Sequence, residues 1–142
     1  MRFVATVEAA RLPRVGNREG MVHPAYLSSA GKALLAELDA EHFDCAYRDS
    51  EQLGRKDLPS RAKLAAELAG IRARGFALNL EESEDGLVAV GRALRWNGGT
   101  SAGISVSMPS SRYDESQLRV YVRAITATAH ALERELIEAI GP

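Results

Sequence analysis

The chain has 142 residues, 46% of them apolar, enough for one globular domain with a sizeable buried core. Its 18 basic and 19 acidic residues are mixed along the sequence, giving a formal net charge of −1 and no basic track that would follow a nucleic-acid backbone. No apolar run approaches the roughly 20 residues of a membrane span, the start lacks the layout of a signal peptide, and a single cysteine, Cys45, excludes an internal disulfide framework and suits a reducing cytoplasm.

Phe3-Val4-Ala5-Thr6-Val7 reads as a strand. Glu8 to Asn17 reads as a second short strand around Leu12 and Val15, followed by an irregular polar stretch through Gly16-Asn17 and Gly20. His23-Pro24 closes that loop, because the residue before a proline is pushed away from helical geometry; His23 either sits at a loop surface or orients a ligand.

Small residues and hydroxyls in Ala25-Tyr26-Leu27-Ser28-Ser29-Ala30-Gly31 then lead into a helix from about Ser29 to Leu38, with Leu34, Leu35 and Leu38 at helical spacing. The first N–H groups of such a helix lack intrahelical partners and lie at the positive end of its dipole, so this entry suits a carboxylate or phosphate. The plainer alternative is that Ser28 or Ser29 only caps the helix. Asp39-Ala40-Glu41 opens a further helix on which His42 and Cys45 stand one turn apart. A metal there would want three or four ligands and a nucleophile would want an orienting third group, so the pair reads as a half-buried thiol beside a surface histidine.

After a polar connection from Gly54 to Pro59, Ser60 caps a helix whose Leu64, Leu68 and Ile71 form one apolar face and whose end falls at Gly75. Phe76-Ala77-Leu78-Asn79-Leu80 and Leu87-Val88-Ala89-Val90-Gly91-Arg92 read as strands around an acidic loop, Glu81 to Gly86. Asn97-Gly98 is a turn signal leading into a strand that alternates Ala102, Ile104, Val106 and Met108 with Ser101, Gly103, Ser105 and Ser107. One face is core; a row of Gly and Ser on the other leaves a hollow where longer side chains would normally stand. Leu118, Val122, Ile125, Ala129, Leu132, Leu136 and Ile140 keep steps of three and four, a long amphipathic helix from Asp114 to Ile140 that stops at Gly141-Pro142 and packs on the apolar side of the sheet, with His130 on its surface or tolerated in its core.

Taken in order, Ala30-Gly31-Lys32-Ala33-Leu34-Leu35-Ala36, Leu64-Ala65-Ala66-Glu67-Leu68 with Ile71-Arg72-Ala73-Arg74-Gly75-Phe76, Glu81-Glu82 before Gly86-Leu87, and Ile104-Ser105-Val106-Ser107 resemble the effector-binding domain of IclR-type bacterial transcriptional regulators. The similarity runs from about His23 to the final helix. It implies an α+β fold of the GAF-like or profilin-like kind, a mainly antiparallel sheet with helices packed on one face. It also implies that residues 1–142 form one ligand-sensing domain without its first helix and strand and without the winged helix-turn-helix through which such regulators reach DNA. A missing strand would leave a sheet edge exposed.

The resemblance further implies a ligand site. Backbone amides at the helix entry correspond to Ser29 and Ala30, a polar position after the Arg-x-x-Gly strand start to Asn79, and two late serines to Ser105 and Ser107, with Leu27, Leu87 and Ala89 as apolar walls. Relatives often carry an acid where Asn79 stands, and an amide there can donate to a ligand carboxylate that an aspartate would repel. The expected partner is a small organic acid, with no metal, no cofactor, no membrane and no nucleic acid bound by this domain itself, in a homodimer or homotetramer. Two other readings stay open: a stand-alone GAF-like sensing or dimerisation module, and a small enzyme using Cys45 with His42, or Ser28 with Lys32 one turn further on.

Overall fold

A computed structural model describes residues 1–8, 16–96 and 99–140. The helices start where short polar side chains satisfy open N–H groups. Ser28 accepts from Gly31 N at 3.0 Å to begin α1 (Ser29–Ala36), Asp39 accepts from His42 N at 2.9 Å to begin α2 (Ala40–Gln52), and Ser60 accepts from Lys63 N at 3.3 Å to begin α3 (Arg61–Arg74). Gly75 ends α3 with φ +83°, a conformation that side chains with a Cβ resist, and its N–H bonds back to Ile71 O at 2.8 Å.

The sheet is antiparallel in the order β1 (Ala77–Leu80), β2 (Leu87–Trp96), β3 (Gly99–Pro109). Asn79 pairs with Ala89, Ala89 with Ser107, and Gly91 with Ser105, so these residues share one face. Val88, Val90, Ile104 and Met108 point the other way, and α4 (Leu118–Ile140) covers them with its buried Ile125 and Ala129. The expected helix on the apolar face is α4 alone. Helix α1 occupies the opposite face, because the glycine and serine row there lets its first turn approach the strands. Behind α1, Leu64, Leu68 and Ile71 of α3 meet Ala33, Ala36, Phe43, Ala77 and Ala93 in the main core.

The N-terminal segment departs from expectation. Phe3 to Val7 is not a strand: Phe3 N bonds Met21 O at 2.9 Å, Gly20 N bonds Phe3 O at 2.8 Å, and the pairing consists of one Arg2–Val22 bridge. Val4 and Val7 remain exposed, since no strand among the described residues runs beside them. The strand expected around Leu12 and Val15, the Asn97-Gly98 turn and the helix stop at Gly141-Pro142 lie outside the described residues. The strands flanking that turn do pair, through Trp96 and Gly99.

Candidate functional site

The site is built on the approach of α1 to β2. A Cβ placed on Gly91 would lie 2.3 Å from the Ser29 carbonyl carbon and 2.4 Å from Ala30 N, so the first turn of α1 rests on the bare backbone of that strand. Ser28 has spent its hydroxyl oxygen on Gly31 N, which leaves the Ser29 and Ala30 N–H groups, outside the intrahelical pattern, above the small-residue face. Beside them Asn79, Leu87, Ala89, Ser105 and Ser107 line a cavity of about 20 Å³, room for about one water. Met1, Phe3, Arg18 and His23 close it from the N-terminal segment.

Thus Ser29, Ala30, Asn79, Leu87, Ala89, Ser105 and Ser107 come together, while Leu27 does not. Leu27 lies in the 3-10 turn Ala25–Leu27 before the cap and packs against the main core, so it walls no part of this cavity. Asn79 is 2% exposed, and its amide staples the acidic loop: Oδ1 accepts from Glu82 N at 2.9 Å and Nδ2 donates to Ser83 Oγ at 2.6 Å.

Sequence reasoning left out Arg18 and placed His23 only between a loop and a ligand role; both line the cavity. Arg18 reaches Glu84 of the acidic loop at 2.8 Å, and this hydrogen bond, first among the causes, holds the Glu84 carboxyl below its ordinary 4.5. Phe3 meets the His23 ring edge-on, with centroids 5.8 Å apart. These contacts join segments distant in sequence, and no local pattern announces them.

Lys32 shows why a Ser-Lys pair does not form. Its side chain is wholly buried, and Nζ donates to Glu67 Oε1 at 2.7 Å, Glu82 Oε2 at 2.6 Å and Leu78 O at 3.1 Å, which uses all three protons. The Ser28 hydroxyl meanwhile donates to Met1 Sδ at 3.4 Å. The Cys45 and His42 pairing fails as well: His42 Nδ1 lies 2.8 Å from Asp39 Oδ1, and Cys45, exposed where a half-buried thiol was expected, accepts from Arg48 Nη2 at 3.4 Å. His130 is exposed and bonds Arg92 at 3.1 Å. Among the described residues no three His, Cys, Asp or Glu side chains gather as a metal site, and no helix is long and apolar enough to cross a membrane.

A wider, open hollow of about 430 Å³ lies between the N-terminal segment and α2. It is mainly apolar, lined by Leu35, Phe43 and Leu53 among others, and the Tyr26 hydroxyl and Arg55 guanidinium at its edge both bond Asp57, at 2.9 and 3.0 Å. In the small cavity, by contrast, the entry of α1, the Asn79 amide of β1 and the Ser105 and Ser107 hydroxyls of β3 converge on one enclosed space.

The model of the family described as "Bacterial transcriptional regulator IclR C-terminal" matches residues 1–134. The HTH-type transcriptional regulator KdgR of Escherichia coli is 29% identical over 138 residues, covering 94% of this chain and 52% of KdgR. Rv1719 of Mycobacterium tuberculosis, also an HTH-type transcriptional regulator, is 36% identical over 95 residues, 66% of this chain and 37% of the relative. The chain thus spans about half the length, or less, of these curated relatives. Among solved structures, a putative transcriptional regulator from Rhodococcus superposes with a TM-score of 0.78 at 28% identity, covering 92% of this chain and 55% of that one. The Agrobacterium tumefaciens repressor BlcR superposes at 0.71 with 29% identity, covering 87% and 54%.

Proposed function

This chain belongs to the IclR family of bacterial transcriptional regulators, matching its C-terminal domain, and from that premise we propose that the cavity between α1 and the serine face of the sheet binds a small organic acid. Binding would then control DNA recognition by a helix-turn-helix domain outside these residues. The observation that supports this reading is convergence: the start of α1, Asn79, Ala89, Ser105 and Ser107, spread over nearly eighty positions, line one cavity. Open helix N–H groups and serine hydroxyls are donors, and donors at the positive end of a helix suit an anion. A two- or three-carbon acid needs more room than one water, so its entry shifts the closing side, where Met1, Phe3 and His23 make backbone bonds to one another, to Gly20 and to Met21.

The domain senses rather than catalyses, works in the cytoplasm, and acts as a homodimer or homotetramer, since reading palindromic DNA calls for two-fold symmetry. Sedimentation that finds only monomer at high concentration would count against that assembly. The central test is a thermal-shift screen against glyoxylate, pyruvate and aromatic carboxylates, repeated with Ser107→Ala. An acid at 100 times its dissociation constant adds about 2.7 kcal/mol and raises the midpoint visibly. A rise that Ser107→Ala cuts to about half supports the site, since a tenfold weaker ligand at the same concentration adds only about 1.4 kcal/mol; no rise with any acid, or one that the variant leaves intact, overturns it.

A further inference from the structure

Resting on that reading of the cavity, we propose that Arg18 is the residue that selects a carboxylate ligand, and that Glu84 is a built-in competitor which the ligand displaces. Arg18 enters from the segment before His23, its side chain 11% exposed, and lines the same cavity as Ser29, Ala30, Asn79, Ser105 and Ser107. A guanidinium stays protonated at any physiological pH, and its planar fork matches a carboxylate. Set beside the positive end of α1, it makes the cavity electropositive from two sides.

Glu84 is placed to leave. It is 52% exposed, on the loop between β1 and β2, and its Oε2 lies 2.8 Å from Arg18 Nη1. If a ligand carboxylate takes that guanidinium, Glu84 turns outward and regains water at little cost, whereas Arg18, nearly buried, exchanges one anion for another. A neutral molecule of the same shape can accept a hydrogen bond from Arg18 but brings no charge to replace that of Glu84. The cavity therefore discriminates by charge as well as by size.

The test is calorimetric titration of the 142-residue chain with glyoxylate, pyruvate and benzoate, and with pyruvamide as a neutral counterpart. For whichever acid binds, Arg18→Gln should weaken affinity at least tenfold, and Glu84→Gln should tighten it several-fold by removing the competitor; pyruvamide should bind far more weakly than pyruvate in every case. Glu84 is exposed, so its variant keeps the test decisive even if Arg18→Gln folds poorly. Binding that Ser107→Ala weakens but that both Arg18→Gln and Glu84→Gln leave within twofold overturns the role of Arg18 and spares the cavity. Weakened binding in Glu84→Gln, or pyruvamide binding as well as pyruvate, overturns it too. No binding of any acid to either the parent or Glu84→Gln overturns the cavity reading along with it.

Discussion

Helix α1 buries polar groups on two sides, and it treats them in opposite ways. Toward α3 and the acidic loop, Lys32 is sealed from solvent and each of its ammonium protons has an acceptor, two of them carboxylates. Toward β2 and β3, the helix entry and two serines face a cavity that protein atoms do not fill. A buried polar group with a complete set of partners fixes the packing of the elements that supply them, whereas polar groups beside an unfilled space are not fixed in that way. The two sides are not independent. Glu82, which binds Lys32, also donates its backbone N–H to Asn79 in the wall of the cavity.

The contrast breaks most completely where both sides share a foundation. Gly91→Val should destabilise by about 4 kcal/mol or more, because the new side chain would overlap the Ser29–Ala30 peptide and lift α1 off the sheet. Urea unfolding checks this, and a variant of near-parental stability would show that α1 does not rest where the structure puts it. Lys32→Met comes next, at about 3 kcal/mol, the lower end for breaking a buried ion pair, since Glu67 and Glu82 are 33% and 40% exposed and can turn to water. Adding Glu67→Gln should recover part of the loss. A cost below about 1 kcal/mol would place Lys32 among ordinary surface residues.

How far such features can be read in advance depends on the range of the interaction. The Ser60 cap, the Leu64, Leu68 and Ile71 face and the Gly75 stop are local, and periodicity with capping chemistry reveals them. The alternation along β3 is equally local, and the row of glycine and serine foretells a hollow before its lid is known. Lys32 is different: its carboxylates stand 35 and 50 positions away, and a lysine within a helix of small residues gives no hint of burial. Arg18 lies in a stretch with no periodicity, and only the folded chain brings it to Glu84. Leu27 misleads for a related reason, since proximity to the helix entry does not say which side of the turn its side chain takes. The valines of the N-terminal segment carry a strand pattern, but a pattern cannot supply a neighbouring strand.

Tyr26, just before α1, is a milder version of Lys32: a part-buried hydroxyl that donates to Asp57 at 2.9 Å, with Arg55 beside it. Burial, and then the hydrogen bond to Asp57, raises the Tyr26 hydroxyl above its ordinary 10.0. A raised value means that the folded chain prefers the neutral phenol, so the stabilisation is fully present below pH 10.0 and is lost as the pH climbs through the folded value. Tyr26→Phe should cost about 1 kcal/mol at neutral pH and flatten the alkaline loss of stability. Denaturation midpoints followed from neutral to strongly alkaline pH decide it; an alkaline limb that survives in Tyr26→Phe must come from another group.

The smallest effect on stability sharpens the contrast most. Ser107→Ala should change the unfolding free energy by less than about 0.5 kcal/mol, because the cavity gives its hydroxyl space, while acid affinity should fall about tenfold. Lys32→Met should do the reverse, with a large loss of stability and a smaller change in affinity, reaching the ligand only through the Glu82 to Asn79 bond. Urea unfolding and calorimetry on the same two variants therefore give a crossed pattern if one side of α1 is scaffold and the other recognition. Should Ser107→Ala lose stability and affinity together, its hydroxyl would be part of the packing, and the cavity would be a gap in the fold instead of a place kept for a ligand.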